Sequence, residues 1–327
     1  MPSRPAPRVD VACFGEILWD IFEAEPRAEE PIAWGFRREL GGAPANVATG
    51  LARLGVKASV IGGVGRDRFG DALLRHLGAD EVDTRHVVVL PNRTGLTFVT
   101  RDAKGEPSFL FYRHESADVS LTAAHVTPAM GRATWVLVGT STIVAPGRAR
   151  APAAFLRAAQ RAGAHLIVDL NVRAHLWKSP VVMRRAIARL VRHASLVKAS
   201  SADLEALDGK GGLAWLGAHA PHATWLVTRG EAPASAIGAH GEVTVPPPPS
   251  RCVDATGAGD AFLAGALATL IAAKATPGTL RWLAPDVWRE ALVVGHALAG
   301  KAISRPGAVR GLTGLAPVRA RIERMKR

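Results

Sequence analysis

The sequence predicts an α/β protein, with a doubly wound, mostly parallel sheet, helices on both of its faces and a small β-sheet lid. From Trp135 onward, short apolar runs alternate with helical patterns, which is typical of a parallel sheet covered by helices. The apolar residues of 166–170 and 225–228, for example, are separated by such patterns. Two β-rich runs, 97–100 and 108–112, flank a polar turn and predict the hairpin of the lid.

We expect one domain over residues 9–315, with lid segments at about 17–40 and 94–113 inserted in it. Residues 1–8 are rich in Pro and Arg and are predicted to be disordered. The apolar run 9–22 predicts a strand that continues past Gly15, and 58–64 predicts the next strand. Four consecutive prolines at 246–249 confine that stretch to a sheet edge or a loop.

The composition predicts a soluble globular protein, and the length is normal for a large α/β enzyme. Its 327 residues are 48% hydrophobic and 21% charged, which allows a sizeable core. The formal net charge of +13 raises nucleic-acid binding as an alternative, but Arg is scattered and no basic stripe with interleaved aromatic residues occurs. The longest apolar run, 261–273, is too short to span a bilayer. We predict a cytoplasmic protein that binds neither nucleic acid nor membrane.

The stretch 253–262 organises the chain. Gly257 and Gly259 frame a tight turn, and Asp260 follows in the first turn of an apolar helix. A helix N-terminus offers unpaired N–H groups to an anion, and glycines allow the backbone to approach it closely. A carboxylate beside such a site fits a general base that takes a proton from an attacking hydroxyl. The alternative is a helix with Asp as an ordinary cap.

Further polar side chains follow predicted strands, where ligands bind in open α/β sheets. Asp20 and Asn46, with two glycines at 41–42, could bind a polyhydroxyl ligand, or Asn46 could only cap a helix. Asn171 could contact phosphate or hydrated Mg²⁺, and Asp203 could hold a Mg²⁺-bound water. For these residues capped loops remain the alternative. The other candidates at strand ends are Arg113, Arg173, Lys198, Ser200, Thr228 and Gly230.

Two motifs resemble the signatures of the ribokinase-like, PfkB-type carbohydrate kinases. They are Gly-Gly-Ala-Pro-Ala-Asn-Val-Ala at 41–48, with its helix to Gly55, and Asp-Ala-Thr-Gly-Ala-Gly-Asp-Ala-Phe at 254–262. The resemblance extends from 9 to about 315. Within the family, the stretches 15–22, 41–46, 109–113 and 169–173 are most similar to fructokinases.

The resemblance implies roles for individual residues. Asp260 would act as base, and the backbone around Gly257, Ala258 and Gly259 would form the anion hole for the transferring phosphoryl group. The implied sugar-binding residues are Asp20, Gly41, Gly42, Asn46, Arg113 and Arg173. The implied nucleotide-binding residues are Asn171, Lys198, Thr228, Gly230, Gly257, Gly259 and His296. The implied cofactors are Mg²⁺ with ATP, held at Asn171 and Asp203 through water, and K⁺ at Asp254 and Thr256.

Two positions depart from the family pattern. Ser200 and Asp203 replace the Asn and Glu that often follow this strand, and Pro233 replaces a glycine of the nucleotide loop. Because proline cannot adopt positive φ, that loop is expected to differ locally.

The resemblance implies an ATP-dependent kinase that phosphorylates a primary hydroxyl of a sugar, foremost D-fructose to fructose 6-phosphate. Ribose, a nucleoside or 2-keto-3-deoxygluconate are the alternative substrates. A non-catalytic sugar or nucleotide sensor is an alternative of another class. Apolar lid residues, Phe98, Phe109 and Phe111, could pair two chains, so a homodimer through the lid is a further expectation.

Overall fold

The computed structural model describes residues 9–23, 35–101, 107–144 and 149–326. Predictions for 1–8, 24–34 and 102–106 lie outside this part of the chain. The strands are β1 (Val9–Phe14), β2 (Leu18–Glu23), β3 (Phe36–Gly41), β4 (Ala58–Ile61), β5 (Gly63–Gly65), β6 (Val88–Leu90), β7 (Leu96–Arg101), β8 (Pro107–Tyr112), β9 (Ala133–Gly139), β10 (His165–Asp169), β11 (Ala194–Ser200), β12 (Thr224–Arg229), β13 (Ala232–Gly238) and β14 (Gly241–Val245). The helices are α1 (Ala43–Arg53), α2 (Arg68–Ala79), α3 (Arg150–Arg161), α4 (Pro180–Val191), α5 (Ser201–Asp208), α6 (Gly212–His219), α7 (Ala258–Ala272), α8 (Pro277–Leu280), α9 (Pro285–Ala302) and α10 (Ala316–Arg324).

The main sheet has eight strands in the order β14-β13-β12-β11-β10-β9-β1-β4. Pairing is parallel from β4 to β12 and antiparallel for β13 and β14 at the far edge. The chain leaves β1 toward β4 on one side and later returns to β9 on the other. Such a reversal opens a crevice at the carboxyl ends of the strands. The predicted doubly wound, mostly parallel fold is confirmed.

The lid is a separate four-stranded sheet in the order β3-β2-β7-β8. Asp20 on β2 lies opposite Thr97 on β7, which lies opposite Phe111 on β8. Neighbouring residues in register point to the same face of a sheet. These three side chains therefore share the face that looks toward the crevice, and the predicted small sheet is confirmed.

Close packing at two glycines breaks two predicted strands. The run 9–22 forms β1 and β2 in different sheets, so the prediction of one continuous strand is wrong. Gly15 has φ +155°, and a Cβ there would lie 2.6 Å from the Pro44 Cγ. Residues 58–64 likewise divide into β4 and β5, since a Cβ at Gly62 would lie 2.4 Å from the Gly15 carbonyl oxygen. Hydropathy alone carries no signal for such contacts.

Two apolar layers cover the main sheet. One contains α1, α7, α9 and α10, with Leu51, Phe262 and Trp288 fully or almost fully buried. The other contains α3 to α6, with Phe155 fully buried in it. The helix α10 begins just after the predicted domain end at 315 and packs on α9. No helix within the described residues is long and apolar enough to cross a membrane.

The contact between α7 and α9 depends on a glycine and yields a test of the packing. A Cβ at Gly265 would lie 2.7 Å from the Val294 carbonyl oxygen and 3.0 Å from the Gly295 Cα, so the two backbones touch. We expect Gly265→Val to lower the free energy of unfolding by about 1–3 kcal/mol through overpacking. Urea denaturation measures this change.

The matched control is Gly78→Ala on α2, where a Cβ meets nothing within 4 Å. Because alanine favours the helix over glycine by about 0.5–1 kcal/mol, this variant should be neutral or more stable. A Gly265→Val protein as stable as wild type would contradict the close packing of α7 and α9.

Candidate active site

A cleft of about 580 Å³ lies between the lid and the carboxyl ends of the main-sheet strands. The lid contributes Asp20 and Arg113, and the turn into α1 contributes Gly42 and Asn46. The strand ends and the loop before α7 close the other side. Predicted residues that line this second side are Asn171, Arg173, Lys198, Ser200, Asp203, Thr228, Asp254, Thr256, Gly257, Gly259 and Asp260.

The N-terminus of α7 faces this cleft. Gly257 precedes the helix with φ +76° and ψ 2°, a left-handed conformation that favours glycine. A Cβ there would lie 2.4 Å from the Ala308 Cβ, so space also requires glycine. Within the described residues, the amides of Gly257, Gly259 and Asp260 donate to no protein acceptor. Unpaired amides at the positive end of a helix form a site for an anion.

Asp254 shapes the loop that carries these amides. Its Oδ1 accepts from the Thr256 amide at 3.1 Å and from the Thr256 hydroxyl at 2.7 Å. Its Oδ2 accepts from the Gly307 amide at 2.8 Å. A monovalent cation at Asp254 and Thr256 would share oxygens that already hold the loop, and that site stays a prediction.

Asp260 is a buried carboxylate in the first turn of α7, with 8% of its surface exposed. The Asn46 Nδ2 donates to its Oδ2 at 2.8 Å. Burial and the nearby Asp169 raise the pKa of Asp260 to about 6, while the Asn46 hydrogen bond, Lys198 and Arg173 act in the opposite direction. A carboxylate that is ionised near neutral pH but more basic than usual suits proton abstraction.

A buried ion pair lies beneath the helix N-terminus. The Lys198 Nζ is 3.2 Å from the Asp169 Oδ1, and both side chains are almost fully buried. Burial opposes the charge of Lys198, but the carboxylates of Asp169, Asp203 and Asp260 outweigh it and raise its pKa. A Cβ at Gly259 would lie 2.7 Å from this Nζ. The ammonium thus adds positive charge beside the unpaired amides of α7.

Asp203 ties two loops together. Its Oδ1 accepts from the Val172 amide at 2.6 Å, and its Oδ2 accepts from the Ser200 amide and hydroxyl at 2.7 and 2.8 Å. Ser200 and Asp203 thereby form a capping box at the start of α5, as the cap alternative predicted. Asn171, held beside Val172, has φ +32°. Asp203 and Asn171 both line the cleft, and their contact with a metal-bound water stays a prediction.

The opposite end of the cleft is acidic. The Asp20 carboxyl packs against Gly41, because a Cβ at Gly41 would lie 2.5 Å from the Asp20 Cγ. Burial, then the charge of Asp260, raises the pKa of Asp20 to about 7, with Arg113 opposing. Glu16, which the sequence analysis missed, lines the cleft nearby and accepts from the Ser141 hydroxyl at 2.8 Å. In the sequence, the signal that could have indicated Glu16 was its position directly after Gly15, where the predicted strand is interrupted.

Arg113 is surrounded by carboxylates. Its Nε and Nη2 lie 2.7 and 2.6 Å from the Asp118 Oδ2. Burial alone would lower its pKa, but Asp118, Glu16 and Asp20 raise it. Arg113 is therefore positioned by Asp118, a residue that the sequence analysis did not single out. Three acidic groups around one guanidinium leave this end of the cleft net negative.

The family model described as "pfkB family carbohydrate kinase" matches residues 9–313. The chain belongs to the pfkB family of carbohydrate kinases. A fructokinase of Klebsiella pneumoniae is 38% identical over 254 residues, which cover 76% of this chain and 81% of the relative. The predicted family and the prediction of a carbohydrate kinase are confirmed.

Solved structures of related kinases share the whole fold. The fructokinase of Xylella fastidiosa with bound ATP has a TM-score of 0.84 at 30% identity, over 97% of this chain and 99% of that one. The fructokinase of Vibrio cholerae O395 with fructose, ADP and calcium has a TM-score of 0.80 at 26% identity, over 96% and 99%. The described residues of this kinase contain no group of three or more His, Cys, Asp or Glu side chains that could hold a metal ion.

Two predicted nucleotide-binding residues of the kinase do not line the cleft. The His296 ring is buried between α7 and β14, where its Nε2 donates to the Val245 carbonyl at 3.1 Å and its edge meets Phe262 at 5.2 Å. Burial lowers its pKa, which favours the neutral ring. Contact of this side chain with a nucleotide is therefore corrected to a packing role. Gly230 lies in the turn between β12 and β13 with φ +60°, and its nucleotide contact stays a prediction.

Pro233 lies near the start of β13, before this strand pairs with the edge strand β14. The pairing of β12 and β13 shifts register between Val227 and Arg229, which lie opposite Ser235 and Ala232. Pro233 falls in this irregular stretch, where a missing N–H is tolerated. Its carbonyl accepts from the Arg229 Nη1 at 2.9 Å. The local difference expected for this loop is thus a register shift at the start of β13, just before its pairing with β14 begins at Ala234.

The hydrogen bond from Asn46 yields a test of the Asp260 environment. Since that bond stabilises the ionised form, Asn46→Ala should raise the pKa of Asp260 above about 6. If Asp260 must be ionised, kcat/KM falls on the acid side of this pKa, and the acid limb moves to higher pH in the variant. The pH dependence of kcat/KM for the sugar measures the shift.

The control is Asn92→Ala, which removes a carboxamide that binds the Glu115 carbonyl and the Ser120 hydroxyl outside the cleft. This variant should keep the wild-type acid limb. An Asn46→Ala enzyme with reduced rate but an unmoved acid limb would show that Asp260 does not set the limb.

Proposed function

We propose that this kinase transfers the γ-phosphoryl group of ATP to a primary hydroxyl of a monosaccharide, with D-fructose as substrate and fructose 6-phosphate as product. One observation carries the proposal. The buried Asp260 lies in the cleft at the N-terminus of α7, in the same turn as three amides, those of Gly257, Gly259 and Asp260 itself, that find no acceptor among the described residues. A base for a hydroxyl and a site for an anionic phosphoryl group are thereby adjacent.

In this mechanism Asp260 takes the proton of the attacking hydroxyl while Asn46 holds its carboxylate. The amides of Gly257, Gly259 and Asp260 stabilise negative charge on the transferring group, and Lys198 adds a cation behind them. Arg173 lines the cleft close enough to lower the pKa of Asp260, so it is placed to pair with phosphate. Positioning and charge stabilisation carry most of such catalysis.

A divalent ion would accompany the nucleotide. Asn171 and Asp203 line the cleft and offer oxygen atoms, which suit Mg²⁺. Most acceptor positions of Asp203 already hold backbone and hydroxyl groups, so contact through water is the better fit. When bound, Mg²⁺ would neutralise phosphate charge. We retain K⁺ at Asp254 and Thr256, and a cytoplasmic location, as predictions.

The charge of the sugar end favours a neutral substrate. Arg113 shares the region with Asp118, Glu16 and Asp20, so its positive charge is already offset. A sugar carboxylate placed there would meet net repulsion, which argues against 2-keto-3-deoxygluconate. A hydroxyl can accept from Arg113 and donate to Asp20 or Glu16. The relatives named fructokinase, and the Vibrio cholerae structure with bound fructose, support D-fructose among the neutral sugars.

We also propose a homodimer through the outer face of the lid. Phe36, Leu110 and Tyr112 are 53%, 58% and 60% exposed there, and Phe98 meets the Phe36 and Tyr112 rings edge-on. Phe111, named for this role from the sequence, instead lines the cleft and stacks on His175. That residue is corrected to a cleft position, and the Phe109 side chain lies outside the described ones. A molar mass of one chain in solution would contradict the dimer.

Replacing the base is the direct test of the chemistry. We expect Asp260→Asn to lower kcat for fructose by about 10²–10⁴ because the hydroxyl loses its proton acceptor. Fructose affinity, measured by calorimetry, should change little, since the variant keeps the shape of the site. A near-normal kcat in this variant would contradict the assignment of Asp260.

Substrate choice is tested with fructose, ribose, 2-keto-3-deoxygluconate, adenosine and inosine in a coupled ADP-release assay. We expect the highest kcat/KM with fructose. Glu16→Gln should narrow the preference for fructose over 2-keto-3-deoxygluconate, by about tenfold if the lost repulsion is about 1.4 kcal/mol. Turnover confined to another substrate would replace fructose in the proposal. Binding of sugar without any turnover would favour the sensor.

A further inference from the structure

A single loop contacts both the anion site and the lid. Residues 303–310, here called the coupling loop, follow α9. The carbonyl of Ile303 accepts from the Val253 and Asp254 amides at 2.8 and 3.2 Å. Further along, the Gly307 amide donates to the Asp254 Oδ2 at 2.8 Å. The loop therefore holds the segment that leads to the unpaired amides of α7.

The contact of this loop with the Gly-rich turn is equally close. Gly257 adopts its left-handed conformation directly against Ala308, where an added Cβ would lie 2.5 Å from the Ala308 Cα. A shift of the coupling loop by a few tenths of an ångström must therefore move Gly257 or open a gap beside it. The orientation of the anion-site amides depends on where residues 307 and 308 lie.

The lid reaches the coupling loop through Glu39. Glu39 lies on β3 directly opposite Asp20 on β2. Its side chain packs on the Gly307 backbone, because a Cβ at Gly307 would lie 2.7 Å from the Glu39 Cγ. Its Oε1 lies 3.3 Å from the Arg310 Nη1 and 2.8 Å from the Arg37 Nε. The Glu39 side chain is only 13% exposed, although both arginines are more exposed.

We propose that Glu39 is a positioning residue that couples the lid to the anion site. Its path runs from Asp20 across the β2–β3 pair to Glu39, then through Gly307 to Asp254 and the amides at the start of α7. A sugar that draws Asp20 into place moves β3 with it, and Glu39 then sets Gly307 and Arg310. The inference rests on the proposed function, because it assigns Asp20 to the sugar and the amides to the phosphoryl group.

The ion pair between Glu39 and Arg310 fastens the lid side of this path. The other side of the loop is anchored independently, since the Arg53 Nη1 donates to the Val309 carbonyl at 2.5 Å and Arg53 pairs with Asp80 at 2.8 Å. Because the Arg310 side chain is 47% exposed, loss of the Glu39–Arg310 pair should change stability little. It should instead loosen the connection between the sugar end and the anion end of the cleft.

The test measures how strongly sugar and nucleotide binding enhance each other. The affinity of a non-hydrolysable ATP analogue with Mg²⁺ is determined by calorimetry with and without saturating fructose. We expect a cooperative enhancement in the wild type, within the roughly 5–150-fold range of such couplings. In Glu39→Gln and Arg310→Ala the enhancement factor should fall toward one. The affinity of each ligand measured alone should change by less than about threefold, which is small compared with that coupling range.

Turnover gives a second readout. In the same variants kcat should fall by about 10-fold to 100-fold, because misplaced amides lose transition-state contacts, while KM for ATP changes little. Arg310→Lys keeps the charge pair and should restore most of the enhancement. The control is Glu290→Gln, which removes the ion pair of Glu290 on α9 with Arg321 on α10, away from the lid. This variant should behave as wild type.

Several results would overturn the proposal. It fails if the wild type shows no enhancement, if Glu39→Gln and Arg310→Ala keep the wild-type enhancement, or if Glu290→Gln loses as much. Since the enhancement is a binding measurement, it is independent of turnover. A wild type that binds both ligands cooperatively but phosphorylates no sugar would contradict the proposed function and leave the coupling supported.

Discussion

Burial of a carboxylate at the start of α7 is the constraint on which the cleft depends. Asp260 would be costly to bury alone, because an apolar environment disfavours its charge. The helix N-terminus, the Asn46 carboxamide and the Lys198 ammonium together keep it ionisable near neutral pH. Each of these compensating groups comes from a different part of the chain. The chemistry therefore exists only when the sheet, α1 and α7 are assembled.

The other buried charges of the cleft are also compensated by oppositely charged neighbours. The charge of the buried Lys198 is stabilised by Asp169, 3.2 Å away, and by Asp203 and Asp260. At the sugar end, Arg113 is held by Asp118 and offsets the charges of Glu16 and Asp20. The cleft thus has the α7 amides and the Lys198 ammonium at one end, and an acidic group of side chains beneath the lid at the other. This separation matches a reaction that brings a neutral polyhydroxyl acceptor to an anionic phosphoryl donor.

Glycines set the distances between these groups. Gly41 leaves room for the Asp20 carboxyl, and Gly257 lies against Ala308. The aliphatic part of the Glu39 side chain packs against Gly307. At each position an added methyl group would overlap a neighbour, so the backbone approaches more closely than any side chain permits. The lid, the anion site and the loop after α9 are consequently in direct contact. This arrangement gives a physical basis for linking sugar binding to the geometry of the phosphoryl site.

The sequence by itself determined the fold class, the family and the two glycine-framed turns, because these depend on local periodicity and on motifs short enough to recognise. It also predicted most of the polar residues that line the cleft, since side chains after parallel strands converge at one edge of the sheet. Only the tertiary structure decided that Glu16, Asp118 and Asp169 belong to the charge network, and that the His296 ring does not reach the cleft. Their partners lie across separate elements, and neither a buried charge nor a glycine contact of 2.5 Å leaves any trace in local sequence pattern.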